Sequence, residues 1–108
     1  MPGTEQLSYK IEKYERLATV DGLRVSILTL ATGEEVPWHR HSQIDDNFFC
    51  MEGPMQVEIR SPGSTKILEL GETFKVPAGQ PHRVSGLNGR ACRFMIVQGI
   101  GNYDFVTE

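Results

Sequence analysis

The clearest pattern in the chain is alternation. Met55, Val57 and Ile59 interleave with Gln56, Glu58 and Arg60, the period of two expected of a strand with one packed and one wet face. Ser61-Pro62-Gly63-Ser64 follows as a turn and apolar character resumes from Lys66 to Leu70, so residues 55–70 predict a hairpin. Upstream, LRVSILTLA starts after Asp21-Gly22 and stops before Gly33, with the β-branched content of a strand. A second apolar run covers residues 46–52. Phe74 and Val76 predict a short strand ended by Pro77, and Val84 another just beyond His82. Asn88-Gly89 has the chemistry of a tight hairpin turn, and ACRFMIV, residues 91–97, reads as the last core strand, with an edge strand possible near Tyr103 to Val106. Short strands about every ten residues, with no long helical stripe, predict an all-β sandwich or closed barrel.

Residues 1–18 are ambiguous, because Leu7, Ile11 and Tyr14 fit a helical stripe while Leu7, Tyr9 and Ile11 fit a strand. They are expected to form an N-terminal arm, lying across a sheet or a second subunit, with residues 19–108 as one barrel domain. A chain of 108 residues holds one hydrophobic core and is too short for two. With 39 % hydrophobic and 23 % charged residues it has the composition of a folding, globular chain. The net charge of -3 and the lack of any basic run argue against a nucleic-acid partner. No apolar stretch reaches membrane-spanning length, and MPGTEQLSYK lacks the pattern of a secretory signal, so a cytoplasmic location is expected. Cys50 and Cys92 each lie in an apolar run and read as buried free thiols, a disulfide between them or a thiolate ligand being the alternative.

The chemistry concentrates between Gly33 and Gly53. His39 and His41 are two residues apart, which on a strand puts both imidazoles on one face, about 7 Å apart at the backbone and able to converge on one ion. Asp46 follows beyond a short polar bend as an anionic oxygen donor, with Asp45 as its rival. His82 would close the set from a neighbouring strand, and the site then uses all three histidines of the chain. Three nitrogens and one carboxylate leave open positions on an octahedral ion.

Gly33, His39, His41, Asp46 and Gly53, followed by Gly71, Pro77, Gly79 and His82, resemble the paired motifs of the cupin family, with every spacing kept. Two positions depart from the pattern: Asp46 stands where glutamate is usual, and Gly86 replaces an asparagine whose loss is expected to affect only a turn. The resemblance implies an all-β jelly-roll barrel, the cupin double-stranded β-helix, with His39, His41, Asp46 and His82 directed at one divalent metal ion near its mouth. It also implies a homodimer. Since aspartate is one methylene shorter than glutamate, Asp46 is expected to fall short of the ion, to bind it through water, or to draw its strand inward, leaving a three-histidine site with a weak fourth ligand, and a glutamate there is expected to serve at least as well.

Within an extended run Asp46, Phe48 and Cys50 share a face, so Phe48 would line the pocket. In the last core strand Cys92, Phe94 and Ile96 are expected to face inward; the opposite register would bring Arg93 inside to hold a substrate carboxylate. Trp38 and Arg40 would face outward. Imidazole and carboxylate accept iron, manganese, nickel or zinc alike. The expected function is therefore that of a mononuclear divalent-metal protein acting on a small organic substrate, as a dioxygenase, isomerase or lyase. A non-catalytic ligand-binding or sensor barrel is the alternative, since the sequence offers no evident general acid or base beside the ligands.

Overall fold

The computed structural model describes residues 7–60 and 62–108. Among them are ten strands: β1 (Lys13–Val20), β2 (Leu23–Leu30), β3 (Glu35–Arg40), β4 (Asp45–Glu52), β5 (Met55–Ile59), β6 (Ser64–Leu68), β7 (Thr73–Val76), β8 (His82–Gly86), β9 (Cys92–Gly99) and β10 (Val106–Thr107). They form two five-stranded sheets, ordered β1-β2-β9-β4-β7 and β10-β3-β8-β5-β6, and every pairing is antiparallel. Only β1–β2 and β5–β6 join neighbours in sequence. The other pairings cross between distant segments, which places the two histidine-bearing stretches side by side.

Strand phase decides which side chains fill the space between the sheets. Phe48 and Cys50 on β4, Met55, Val57 and Ile59 on β5, and Cys92, Phe94 and Ile96 on β9 all turn inward and are buried in one core. Phe48 and Phe94 meet edge to face at 5.6 Å, a favoured aromatic geometry. Cys50 and Cys92 are buried and free, and burial raises the Cys92 thiol to about 12. The same alternation corrects the Arg93 reading. With Cys92 and Phe94 inside, Arg93 lies on the outer face, its guanidinium 3.9 Å from Glu15, and it lines no part of the pocket.

The stretch that fits both periods is strand from Lys13 onward, paired along β2 from Lys13 opposite Thr29 to Val20 opposite Leu23. Tyr9, Ile11 and Tyr14 pack against the core. Trp38 does face outward, and its ring is covered by the guanidinium groups of Arg60 and Arg83 at 4.5 and 5.3 Å. Asn88-Gly89 has the two positive φ values its chemistry predicts, 56° and 78°, yet it closes no hairpin. It sits in a 3₁₀ turn (Leu87–Gly89) between β8 and β9, which belong to different sheets.

Gly86 is explained by space rather than by turn conformation. Its φ of -72° and ψ of 149° suit any residue, but a Cβ there would lie 1.7 Å from the Arg90 carbonyl oxygen. Since the obstacle is backbone, no rotamer relieves it. Gly86→Asn, which restores the residue usual in the motif, should therefore destabilise the fold by about 3 kcal/mol, the upper end of overpacking penalties; chemical denaturation would measure it, and unchanged stability would show that the β8–β9 connection gives way freely.

Candidate metal centre

Each candidate ligand is placed by a separate feature of the barrel. On β3 the register with β8 slips between Val36 and His39, and this bulge lets two residues three apart both face inward. His39 then lies directly opposite His82 on β8. His41 follows the end of β3, and its carbonyl accepts a hydrogen bond from the Gly79 N–H at 2.7 Å. Gly79 has φ of +85°, a conformation that favours glycine, so the turn of the second motif anchors the histidine loop of the first. Asp46, on β4, stands between Val76 of β7 and Gln98 of β9. Asp45, the rival, turns outward: it accepts from the Ala78 N–H at 2.9 Å and lies 3.8 Å from Lys75.

His39, His41, Asp46 and His82 are all buried, and their ligand atoms lie within 4.8 Å of one another. Asp46 Oδ2 is 2.8 Å from His82 Nε2, 3.0 Å from His41 Nε2 and 3.9 Å from His39 Nε2. The aspartate therefore reaches all three imidazoles without the extra methylene of glutamate. For metal–ligand bonds of about 2.1 Å, adjacent donors of an octahedron lie ~3.0 Å apart and opposite ones ~4.2 Å. The cluster covers that range, its separations running from 2.8 Å up to 4.8 Å, so the widest pair would draw in slightly around an ion.

The other ring nitrogens fix the tautomers. His39 Nδ1 donates to the Pro37 carbonyl at 2.7 Å, His82 Nδ1 to the Gln80 carbonyl at 2.8 Å, and His41 Nδ1 to the Asp104 carbonyl. A carbonyl can only accept, so each Nδ1 carries hydrogen and each neutral imidazole turns a lone pair inward at Nε2. Three lone pairs then face a carboxylate. This set of acceptors repels itself unless a cation or protons lie among them, and imidazoles oriented by carbonyls are the usual way histidine is held for a metal. The donor set fits a divalent ion of the iron, manganese, nickel or zinc type.

The electrostatics follow the distances. Burial alone would raise the Asp46 carboxyl, but the three imidazoles around Oδ2, which favour the carboxylate whenever one of them carries a proton at Nε2, outweigh it and hold the group well below the usual carboxylate range. Burial lowers His39, the imidazole farthest from the carboxylate. At His41 burial is overcome by the hydrogen bond and charge of Asp46, and its pKa is raised.

Around the cluster are residues that sequence reasoning missed. Gln98 Nε2 donates to Asp46 Oδ1 at 2.9 Å. Phe105 stacks on His39 with centroids 4.4 Å apart, Tyr103 lies 5.4 Å from the His41 ring, and Tyr9 stacks on Phe105. Together with Phe48, as expected, they wall a cavity of about 20 Å³, no more than a water or two requires. Gln98 was legible as the next inward position after Cys92, Phe94 and Ile96. The aromatics of the tail obey no strand period and carried no such signal.

Residues 26–98, more than half of the chain, match the cupin domain family. No curated protein sequence matches. Among solved structures, the chain is similar to an uncharacterised conserved protein with a double-stranded β-helix domain from Klebsiella pneumoniae, with a TM-score of 0.77 at 19 % identity over 95 % of this chain and 90 % of that one. It is similar to the polyketide cyclase RemF from Streptomyces resistomycificus, with a TM-score of 0.77 at 22 % identity over 98 % and 73 % of the two chains. It also resembles an oxalate oxidase in complex with glycolate, with a TM-score of 0.69 at 22 % identity over 80 % of this chain and 46 % of the other. With sheets, motifs and ligand cluster all in place, the chain belongs to the cupin domain family and carries a buried cluster of three histidines and one aspartate that could hold one metal ion.

Proposed function

We propose that this cupin is a mononuclear divalent-metal enzyme acting on a small organic molecule, with His39, His41, Asp46 and His82 as the protein ligands. The observation that carries the reading is the convergence of three Nε2 atoms on Asp46 Oδ2 while every Nδ1 is tied to a backbone carbonyl. A bound ion of this class supplies Lewis-acid polarisation of a substrate oxygen or a position for dioxygen. The residues of the chain supply the rest. Asp46 offsets part of the ion's charge, and Phe48, Phe94 and Ile96 keep the inner wall dry. Burial raises the Tyr103 phenol, which Arg24 only partly offsets, so at neutral pH Tyr103 keeps its proton and acts as a hydrogen-bond donor or general acid.

Aromatic walls with phenolic hydroxyls suit a partly apolar substrate that presents oxygen donors. The structural neighbours include a polyketide cyclase and an oxalate oxidase, so the fold hosts small-molecule chemistry of more than one kind. With a volume of about 20 Å³, the cavity holds little beyond water, so a larger substrate requires the wall of Tyr9, Tyr103 and Phe105 to yield. The small volume favours a second reading, a sensor barrel that holds a ligand without turnover. Product formation by the metal-loaded protein separates the two.

We also propose a homodimer that pairs the outer face of the β1-β2-β9-β4-β7 sheet. Phe49 lies opposite Met95, which lies opposite Ile27, and Val97 lies opposite Val25. Ile27 is buried, but Phe49, 39 % exposed, and the half-buried Met95, Val97 and Val25 give this face apolar surface. Such a patch on a small chain is characteristic of an association surface.

Saturating manganese, nickel or zinc should raise the stability of wild-type protein, by ~2.7 kcal/mol at a hundredfold excess over Kd. In thermal denaturation His41→Ala should lose this increment and Asp46→Ala should keep part of it; an equal shift in wild type and His41→Ala would remove the site assignment. Apparent metal affinity should also depend on pH. The metal-free protein holds a proton on His41 up to a pH above the ordinary imidazole value, and metal must displace it. Affinity should therefore fall as pH drops through that raised pKa, as titrations over the neutral-to-acidic range would show; affinity flat with pH would contradict the protonated resting form. Finally, Phe49→Lys should convert a dimer to a monomer in sedimentation analysis, whereas wild-type protein that is monomeric at every concentration would refute the interface.

A further inference from the structure

The two oxygens of Asp46 have different surroundings. Oδ2 faces the three imidazoles, at 2.8, 3.0 and 3.9 Å. Oδ1 faces away and accepts from Gln98 Nε2 at 2.9 Å. Asp46 and Gln98 are direct cross-strand partners on β4 and β9, both buried, at 1 % and 7 % exposure. We propose that Gln98 is the positioning residue of the metal centre and that Asp46 and Gln98 form one unit, taking the place of the glutamate usual in the motif. The inference rests on the metal-site reading above.

Position 98 suits a neutral donor of this length. Its amide N–H occupies Oδ1 and stops the carboxylate from rotating, so a single oxygen is presented to the ion. Being uncharged, it leaves the negative charge of Asp46 to be neutralised at the metal, which a lysine or arginine would instead quench. An apolar side chain of similar size would leave Oδ1 without a partner in a buried setting, where a lost hydrogen bond is felt most. Gln98 is itself held in phase by β9, on which Phe94 and Ile96 are buried on the same face.

The pairing also reverses the expectation for a glutamate at position 46. Asp46 Oδ2 is already within 3.0 Å of two imidazoles, and the adjoining cavity is about 20 Å³. An added methylene would press the carboxylate into the histidines and carry it off the Gln98 amide. Moving one methylene from position 98 to position 46 keeps the summed volume unchanged, the kind of exchange that packed interiors tolerate best. Asp46→Glu should therefore be harmful alone and tolerated together with Gln98→Asn.

Cobalt(II) binding by full-length protein, followed by its visible absorption, tests this. Wild type should bind one equivalent. Gln98→Leu, Gln98→Asn and Asp46→Glu should each weaken binding by roughly 10–100-fold, the range for losing a group that orients a metal ligand, with an altered cobalt spectrum. The Asp46→Glu/Gln98→Asn double variant should recover affinity and spectrum to within a few-fold of wild type, a non-additivity expected only of coupled residues. A folded Gln98→Leu variant with wild-type affinity and spectrum would overturn the proposal, as would Asp46→Glu binding as tightly as wild type while Gln98 is intact. If Gln98→Leu does not fold, the asparagine variant and the double exchange decide the matter. Wild type that binds no cobalt would instead overturn the metal reading itself, and this inference with it.

Discussion

Everything in the barrel's interior is subordinate to one electrostatic constraint: a carboxylate 1 % exposed to solvent faces three imidazole nitrogens. A buried charge is tolerated only when paired and hydrogen-bonded. Here the pairing comes from both sides, from Gln98 at Oδ1 and from the imidazoles at Oδ2. Because each Nδ1 is committed to a carbonyl, the imidazoles can satisfy Asp46 only through a positive charge in their midst. Protons meet the requirement partly, as the raised His41 pKa indicates. A divalent ion meets it with all four donors at once.

The fold makes this convergence possible by separating the candidate ligands in sequence and joining them through sheet pairing. His39 and His82 come from paired strands of one sheet, Asp46 from the facing sheet, and His41 from a bend held by the Gly79 N–H. The elements that hold the ligands rest on the apolar core: Phe48 and Phe94 lie beneath the cluster, and Phe48 meets the His82 ring edge to face at 6.1 Å. On the opposite side Phe105 stacks on His39, and Tyr9 stacks on Phe105. The tail thus contributes to the site although only Val106 and Thr107 of it are strand.

The candidate cluster was legible because histidine is scarce in this chain and the spacing of its histidines matches the paired motifs, although His41 lies just past the end of β3 rather than on the strand. The choice of Asp46 over Asp45 followed from counting back from Gly53, and strand phase agrees, with Asp45 turned out toward Ala78 and Lys75. Features governed by long-range pairing were not legible. Lys13–Val20 is strand because β2 offers it a partner, whereas its apolar spacing fits a helix as well. The Asn88-Gly89 dipeptide specified two left-handed residues correctly but not which sheet the chain would enter next. Gly86 looked like a turn glycine, while what demands it is the Arg90 carbonyl, brought close only by the tertiary fold.

The central claim, that these four side chains hold a metal ion, is tested most directly by elemental analysis of untagged protein purified without added metal, beside a variant lacking all three histidines. The account predicts close to one equivalent of a single divalent transition metal per chain in the wild type and none in the variant. Wild-type protein that carries no metal, and takes up none on reconstitution, would contradict it.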